Sequence, residues 1–243
     1  MNSIPGNVAT GLNGISAPLP KLIAPAILDS LVKVLNCSIK SSTCPLTLKL
    51  ARVTPIHKSG SFSDPNNFRP ISVLPIISKL LEKHVSGHLM NYLREFKLLI
   101  STQSGFRSLH STESILIKMT DDWLEAMDKG KLTGVIFIDL RKAFDLVNHE
   151  LLLAKLRIYG FSPSTLRWFR SYLNDRHQQV SLNGELSERE CLACGVPQGS
   201  ILGPTLFLLF INDLPLSWES ENAVYLLMMQ HCMQATRAYQ TSR

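Results

Sequence analysis

No stretch of this 243-residue sequence stays apolar for the roughly 18 residues that a membrane-spanning helix needs, so a helical span is excluded. The opening MNSIPGNVATGLNGIS lacks the basic flank and apolar core of a signal peptide, which points to an intracellular protein, cytoplasmic or nuclear. Cysteines are few and odd in number. Cys37, Cys44, Cys191, Cys194 and Cys232 lie scattered, as reduced intracellular thiols do, and they make no disulfide framework. Cys191 and Cys194 form a C-x-x-C, but no second Cys or His pair at zinc spacing follows. They read as two half-buried thiols on a strand rather than metal ligands. Acidic residues are outnumbered, 19 Asp plus Glu against 25 Lys plus Arg, for a net charge of +6. That excess suits a polyanionic partner without proving one.

What is present is a globular composition, 45% hydrophobic and 18% charged, in a chain long enough for one large domain or two small ones. Residues 1–20, rich in Gly, Pro and Asn, read as an irregular lead-in. Leu28, Leu31, Val32 and Leu35 recur at helical spacing and predict a helix from Leu22 to about Ile39. LKLARVTPI (48–56) alternates as a strand, with Pro55 marking its end or an edge. HKSGSFSDPNNFRP (57–70) is dense in turn-formers and predicts a loop. Helices are expected over 76–96 and, after the loop STQSGFRSLH, over about 111–127. GVIFI (134–138) reads as a buried strand opening on Asp139. Two more helices, roughly 149–159 and 164–173, precede a hairpin turning at Asn183-Gly184, and 200–214 is apolar and helical. No internal repeat is present. An α+β or α/β sheet packed with helices is the economical architecture.

The chemistry concentrates in F-I-D-L-R-K-A-F-D (137–145). A carboxylate at the end of a buried strand is costly without a partner, and Mg²⁺ is a hard cation that takes such oxygens. Asp139 is therefore a candidate metal ligand. Taken alone it reads as well as a cap on the turn into a helix, because one Asp makes no site. Further along stands G-V-P-Q-G-S-I-L-G-P-T-L-F (195–207). Earlier come F-R-P-I-S (68–72) and Q-S-G-F-R (103–107).

At these residues the chain resembles reverse transcriptases, and among them those of non-LTR (LINE-like, jockey/CR1-type) retrotransposons, over about residues 10–225 and in the expected order. F-R-P-I-S-V-L-P and Q-S-G-F-R look like the family's fingers motifs, F-I-D-L-R-K-A-F-D and G-V-P-Q-G-S-I-L-G-P like its first two palm motifs. F-I-N-D-L-P (210–215) is similar to what precedes the third. The resemblance implies an α+β fold: polymerase right-hand fingers plus an incomplete palm, an antiparallel sheet packed with helices, and no thumb. Fingers and the start of the palm would fall at 21–130 and the rest of the palm at 131–225. It implies an RNA template, a DNA primer and deoxynucleoside triphosphates as partners, no membrane, and Mg²⁺ as cofactor; it leaves the oligomeric state open. By the same resemblance Asp139 holds the catalytic metals, and Phe144 walls the nucleotide sugar against a 2′-hydroxyl. Gln198 lies against the incoming nucleotide, and Gly199 lets the template strand come close. Arg69 and Arg107 sit near triphosphate or template, where guanidinium forks suit phosphate oxygens; the alternative for both is plain surface solvation. Asp145 reads as structural. Lys58 and Lys142 are phosphate contacts or ordinary solvated lysines.

In this family further carboxylates come from a hairpin reading F/Y-A-D-D, yet no Asp follows Asp213. Met228, Met229 and Met233 fix their codons. Read one base early, with Tyr225 as TAT, Leu226 as TTG and Leu227 as CTG, the stretch becomes F-A-D-D-A-T-L-Y-A-S. A single indel near codons 222–226 would thus leave 226–243 as a frameshifted tail. The expectation is a C-terminally truncated polymerase by ancestry, inactive for want of ligands to a second metal. Its alternatives are a non-catalytic RNA-binding remnant and a non-functional translated fragment. Asn13, where the family commonly has Asp, is a further departure.

Overall fold

The computed structural model describes residues 9–16, 18–101, 103–107, 109–135 and 138–214. The tail at 226–243 and most of the lead-in's first half lie outside the described residues. Two compact units divide the chain: Met1–Phe96 with Ala143–Phe210, and Lys97–Lys142 with Ile211–Arg243.

The first unit opens with a short helix α1 (Pro18–Leu22) and the longer α2 (Ala24–Ser41), which ends where Ser42 turns left-handed at φ 54° and donates back to Ser38 and Ile39. The helix forms where its spacing predicts, but its apolar stripe is covered only in part, with Leu31 and Leu35 half-buried. Leu28 and Val32 are 49% and 45% exposed, and Ser38 is the buried position. Its hydroxyl donates to the Thr43 carbonyl at 2.7 Å and accepts the Trp168 indole N–H at 3.1 Å. Amphipathic spacing makes a helix; it does not choose which face meets the core.

Strand β1 (Leu50–His57) pairs antiparallel with β2 (Phe68–Val73), from Arg52↔Val73 to His57↔Phe68. The expected loop over 57–70 is therefore shorter, because Phe68, Arg69 and Pro70 are strand. Pro70 is tolerated because β2 is an edge strand, and it sits opposite Pro55, so two residues without an N–H face each other. On its other side β1 runs parallel to β3 (Arg176–Leu182), but only over Leu50–Val53, two residues short of Pro55. β3 continues through Asn183 (φ 52°) and Gly184 (φ 89°), the doubly left-handed turn that Asn-Gly favours, into β4 (Glu185–Leu186), and also pairs with β5 (Glu190–Leu192). Three of the four pairings are antiparallel and one is parallel.

Helices α3 (Ile76–Glu95), α5 (His149–Ile158), α6 (Pro163–Leu173) and α7 (Leu202–Ile211) supply the core: Leu81, Leu89, Leu93, Leu152, Leu156, Phe169, Tyr172, Leu202, Leu206 and Phe207 are all buried. Their starts follow local chemistry. Asn148 and Ser162 cap α5 and α6 by accepting the N–H of Leu151 and Thr165, and Pro163 opens α6 with the fixed φ a first turn wants. The far end of α6 is closed from outside, because buried Lys49 reaches the carbonyls of Ser171 (2.9 Å) and Asn174 (2.8 Å).

In the second unit α4 (Thr112–Asp128) begins at a capping box, Ser111 and Ser114 each bonding the other's backbone N–H. The expected strand over 134–138 does not form at its described residues. Gly134, Val135 and Ile138 are irregular, with Val135 45% and Ile138 38% exposed. An apolar run becomes a strand only beside a pairing edge, and no described strand runs next to it. No helix among the described residues is long and apolar enough to cross a membrane.

Candidate active site

Within the first unit, the chain between Gly195 and Ser200 is drawn across two other segments. Gly195 and Val196 donate to the carbonyls of Val147 and Phe144, both at 2.8 Å, and Ser72 of β2 donates to the Gln198 carbonyl at 2.6 Å. The approach is so close that side chains are excluded. A Cβ on Gly195 would stand 2.7 Å from the Asp145 carbonyl oxygen and one on Gly199 2.5 Å from that of Ser72, at φ of +87° and +118°. His149, buried at the start of α5, donates its Nε2 proton to the Gly195 carbonyl at 2.7 Å.

This loop sets the side chains that the sequence singles out. The Gln198 amide donates to both carboxylate oxygens of Asp145, at 3.0 and 3.2 Å, so Asp145 orients Gln198. Phe144 is 4% exposed and stacks on Phe207 with ring centroids 5.0 Å apart, a ring fixed within the core. Gly199 gives its space first to the chain's own strand β2. Cys194 donates its thiol to the Asp145 carbonyl at 3.3 Å, and both Cys191, on the peripheral strand β5, and Cys194, in the bend beyond it, are free and exposed rather than half-buried on a strand.

The loop continues into α7, and a buried acid holds that junction. Glu82, 1% exposed on α3, accepts the backbone N–H of Ile201 at 2.6 Å and of Leu202 at 3.5 Å on one oxygen. On the other it accepts the Tyr172 hydroxyl at 3.1 Å and Ser78 at 3.3 Å. Burial pushes its carboxyl above the ordinary carboxylate range, while nearby Arg176 and these donors pull it back. Burial likewise raises the Tyr172 phenol, with Glu82 adding to the rise. Arg176, 1% exposed, lies over the Tyr172 ring at 4.8 Å and donates to the Tyr172 carbonyl at 3.1 Å.

Arg69 stands on β2 opposite Ile56, and the register puts it on the same sheet face as Arg52 of β1. The Nε atoms of both are buried and lack a hydrogen-bond partner. Lys58 is exposed where β1 leaves for the hairpin loop.

The second unit carries the other candidates. Asp139 is exposed in an irregular stretch, and Lys142 follows at φ 51° in a turn. Arg107 is turned onto its own loop, donating Nη1 to the carbonyls of Ile100 (3.1 Å) and Gln103 (2.7 Å). Asn212 closes the same segment by accepting from Ile100 and donating to Leu98. Among the described residues no three His, Cys, Asp or Glu side chains come together in a way that could hold a metal ion, so they do not by themselves fit a Mg²⁺ pair.

Residues 56–233 match the family model described as reverse transcriptase (RNA-dependent DNA polymerase). The chain belongs to the reverse transcriptase family. Its relatives lie in the non-LTR retrotransposon branch. It is 34% identical over 217 residues to a probable RNA-directed DNA polymerase from transposon BS of Drosophila melanogaster, covering 88% of this chain and 24% of that protein. It is also 34% identical over 196 residues to the RNA-directed DNA polymerase from mobile element jockey of the same fly, covering 80% and 21%. The chain therefore spans between a fifth and a quarter of the length of these relatives. The structure resembles that of apo telomerase from Candida tropicalis with a TM-score of 0.50 at 15% identity, over 80% of this chain and 47% of that one, a likeness of fold. The mixed sheet packed with helices is thus a reverse transcriptase fold.

The polar network behind the loop is not evident in the motifs. Glu82 lies seven residues before buried Leu89 and four after buried Ser78, a spacing that places an acid on the inward face of α3. Nothing local marks Tyr172, Arg176 or His149, whose partners are 46 to 90 residues distant or on another element.

Proposed function

We propose that this fold serves RNA-directed DNA synthesis, with an RNA template, a DNA primer and deoxynucleoside triphosphates as partners and Mg²⁺ as cofactor, inside the cell. The observation that carries the reading is the convergence of three motif segments on one loop: Gln198 held by Asp145, Phe144 fixed beside it, and Ser72 of the Arg69 strand bonded to the Gln198 carbonyl. In this reading residues 21–130 are fingers and the start of the palm, and 131–225 the palm. Phe144 walls the sugar pocket, Gln198 lies against the incoming nucleotide, Gly199 keeps the loop flat for the template, and Arg69 and Arg107 neutralise phosphates. Lys58 and Lys142 add to that charge. Asp139 is the metal-binding carboxylate.

Two-metal phosphoryl transfer needs more carboxylates than one, and Tyr225, Leu226, Leu227 and Met228 stand where the resemblance implies F/Y-A-D-D. The chain as it stands is therefore proposed to hold nucleic acid without extending a primer. RNA retention tests the scaffold. Affinity falls steeply with salt, and reversing charge at Arg69 and Arg107 weakens it; unchanged retention in that double variant refutes the role of these arginines. Mg²⁺-dependent primer extension tests the chemistry. The chain gives none. A version carrying F-A-D-D-A-T-L-Y-A-S at 225–234 adds nucleotides, and Asp139→Ala abolishes the addition. Extension by the unaltered chain, or addition that survives Asp139→Ala, overturns the assignment.

A further inference from the structure

The hairpin between β1 and β2 carries three aromatic rings at its tip that the core does not use. His57 and Phe62 stack nearly parallel, centroids 3.9 Å apart and planes 14° from one another. Phe68 meets both edge-on, at 5.2 and 6.4 Å. The tip is tied in several places. Lys58 donates its N–H to the Asn67 carbonyl at 2.8 Å, and the Asn67 amide donates to the Ser61 carbonyl at 2.9 Å. His57 Nε2 bonds the Gly60 carbonyl at 3.1 Å. Phe62 is nevertheless 75% exposed. With one face against His57 and an edge toward Phe68, that exposure belongs to the outer face of the ring, which is held ready and open.

A single exposed phenylalanine is ordinary on a protein surface. One prestacked on a second ring, on a tied hairpin, is a flat apolar surface whose ordering cost is already met. The charges around it favour an anion-bearing partner. Lys58 is exposed next to His57. The hairpin's one acid, Asp64, is exposed and accepts the backbone and side-chain N–H groups of Asn66 on one oxygen, at 2.9 and 3.0 Å. We propose that Phe62, backed by His57, is a stacking platform for an unpaired base of single-stranded nucleic acid, with Lys58 on the adjoining phosphate. The proposal rests on the nucleic-acid-binding reading above and adds to it a base-binding position.

The test uses the full chain and a short single-stranded RNA carrying 2-aminopurine, whose fluorescence is quenched when the base stacks. The wild-type chain quenches the signal. Phe62→Ala loses the quenching and weakens binding by about 5- to 150-fold, the range for one base–aromatic stack, with the salt slope unchanged. Phe62→Tyr keeps both. Lys58→Glu lowers the salt slope by about one and keeps the quenching. Because Phe62 is outside the core, circular dichroism of Phe62→Ala matches wild type. Binding and quenching unaltered in Phe62→Ala overturn the platform while leaving the polymerase reading intact. Absence of any RNA binding by the wild-type chain overturns both.

Discussion

The Glu82 carboxylate accepts the Ile201 backbone N–H at 2.6 Å, tying the middle of α3 to the start of α7 across 119 residues of chain. Three residues before Ile201 stands Gln198, so the position of the candidate nucleotide-contacting loop depends on an acid that no motif contains.

Removing that acceptor strands buried donors. Glu82→Leu leaves the Ile201 N–H and the Tyr172 hydroxyl without their partner, at about 1–3 kcal/mol for each buried unsatisfied group. Urea unfolding should show a midpoint lowered to match a loss of several kcal/mol. A midpoint within error of wild type would show that the network does not hold the loop.

The same group makes stability depend on pH with a defined sign. Its carboxyl is raised in the folded chain, so the fold binds its proton more tightly than the unfolded chain does. The resulting stabilisation is complete below the ordinary carboxylate value and is lost as pH rises through the folded value. Glu82→Gln does not titrate. Plotted against pH from mildly acidic to neutral, wild-type stability minus that of Glu82→Gln should fall; a flat or rising difference contradicts the assignment.

Gly199→Ala should fail for reasons of both space and conformation. Its Cβ would meet the Ser72 carbonyl oxygen at 2.5 Å, backbone that cannot swing aside, at φ +118°. The strain expected is about 1–3 kcal/mol, relieved by moving the loop off β2. Thermal unfolding and hydrogen exchange at the Ser72 amide report it; an unshifted melting temperature with a still-protected amide would disprove the close approach.

The thiols should separate by reactivity. Cys37, Cys191 and Cys194 are exposed, whereas Cys44 is buried with its pKa pushed up to about 11 by desolvation. Mass spectrometry after a brief iodoacetamide pulse on the native chain should find the first three alkylated and Cys44 modified only after unfolding. Early modification of Cys44 would place it at the surface instead.

The sequence by itself determined the elements whose signals are local. Helices at 76–95, 112–128, 149–158 and 163–173 follow from apolar spacing and from caps such as Ser111, Asn148 and Ser162, and the Asn183-Gly184 turn from two residues that accept positive φ. The family was legible too, because motif residues are chemistry written in order along the chain. Tertiary structure decided what depends on partners far away. It made strand of Phe68–Pro70 by giving them β1 to pair with, and left the described part of 134–138 irregular beside no edge. It left Leu28 and Val32 of the α2 stripe exposed, and placed Glu82 where two backbone N–H groups, Tyr172 and Arg176 converge. A hydrogen bond or a strand pairing belongs to two segments at once. Only the folded chain says which two meet.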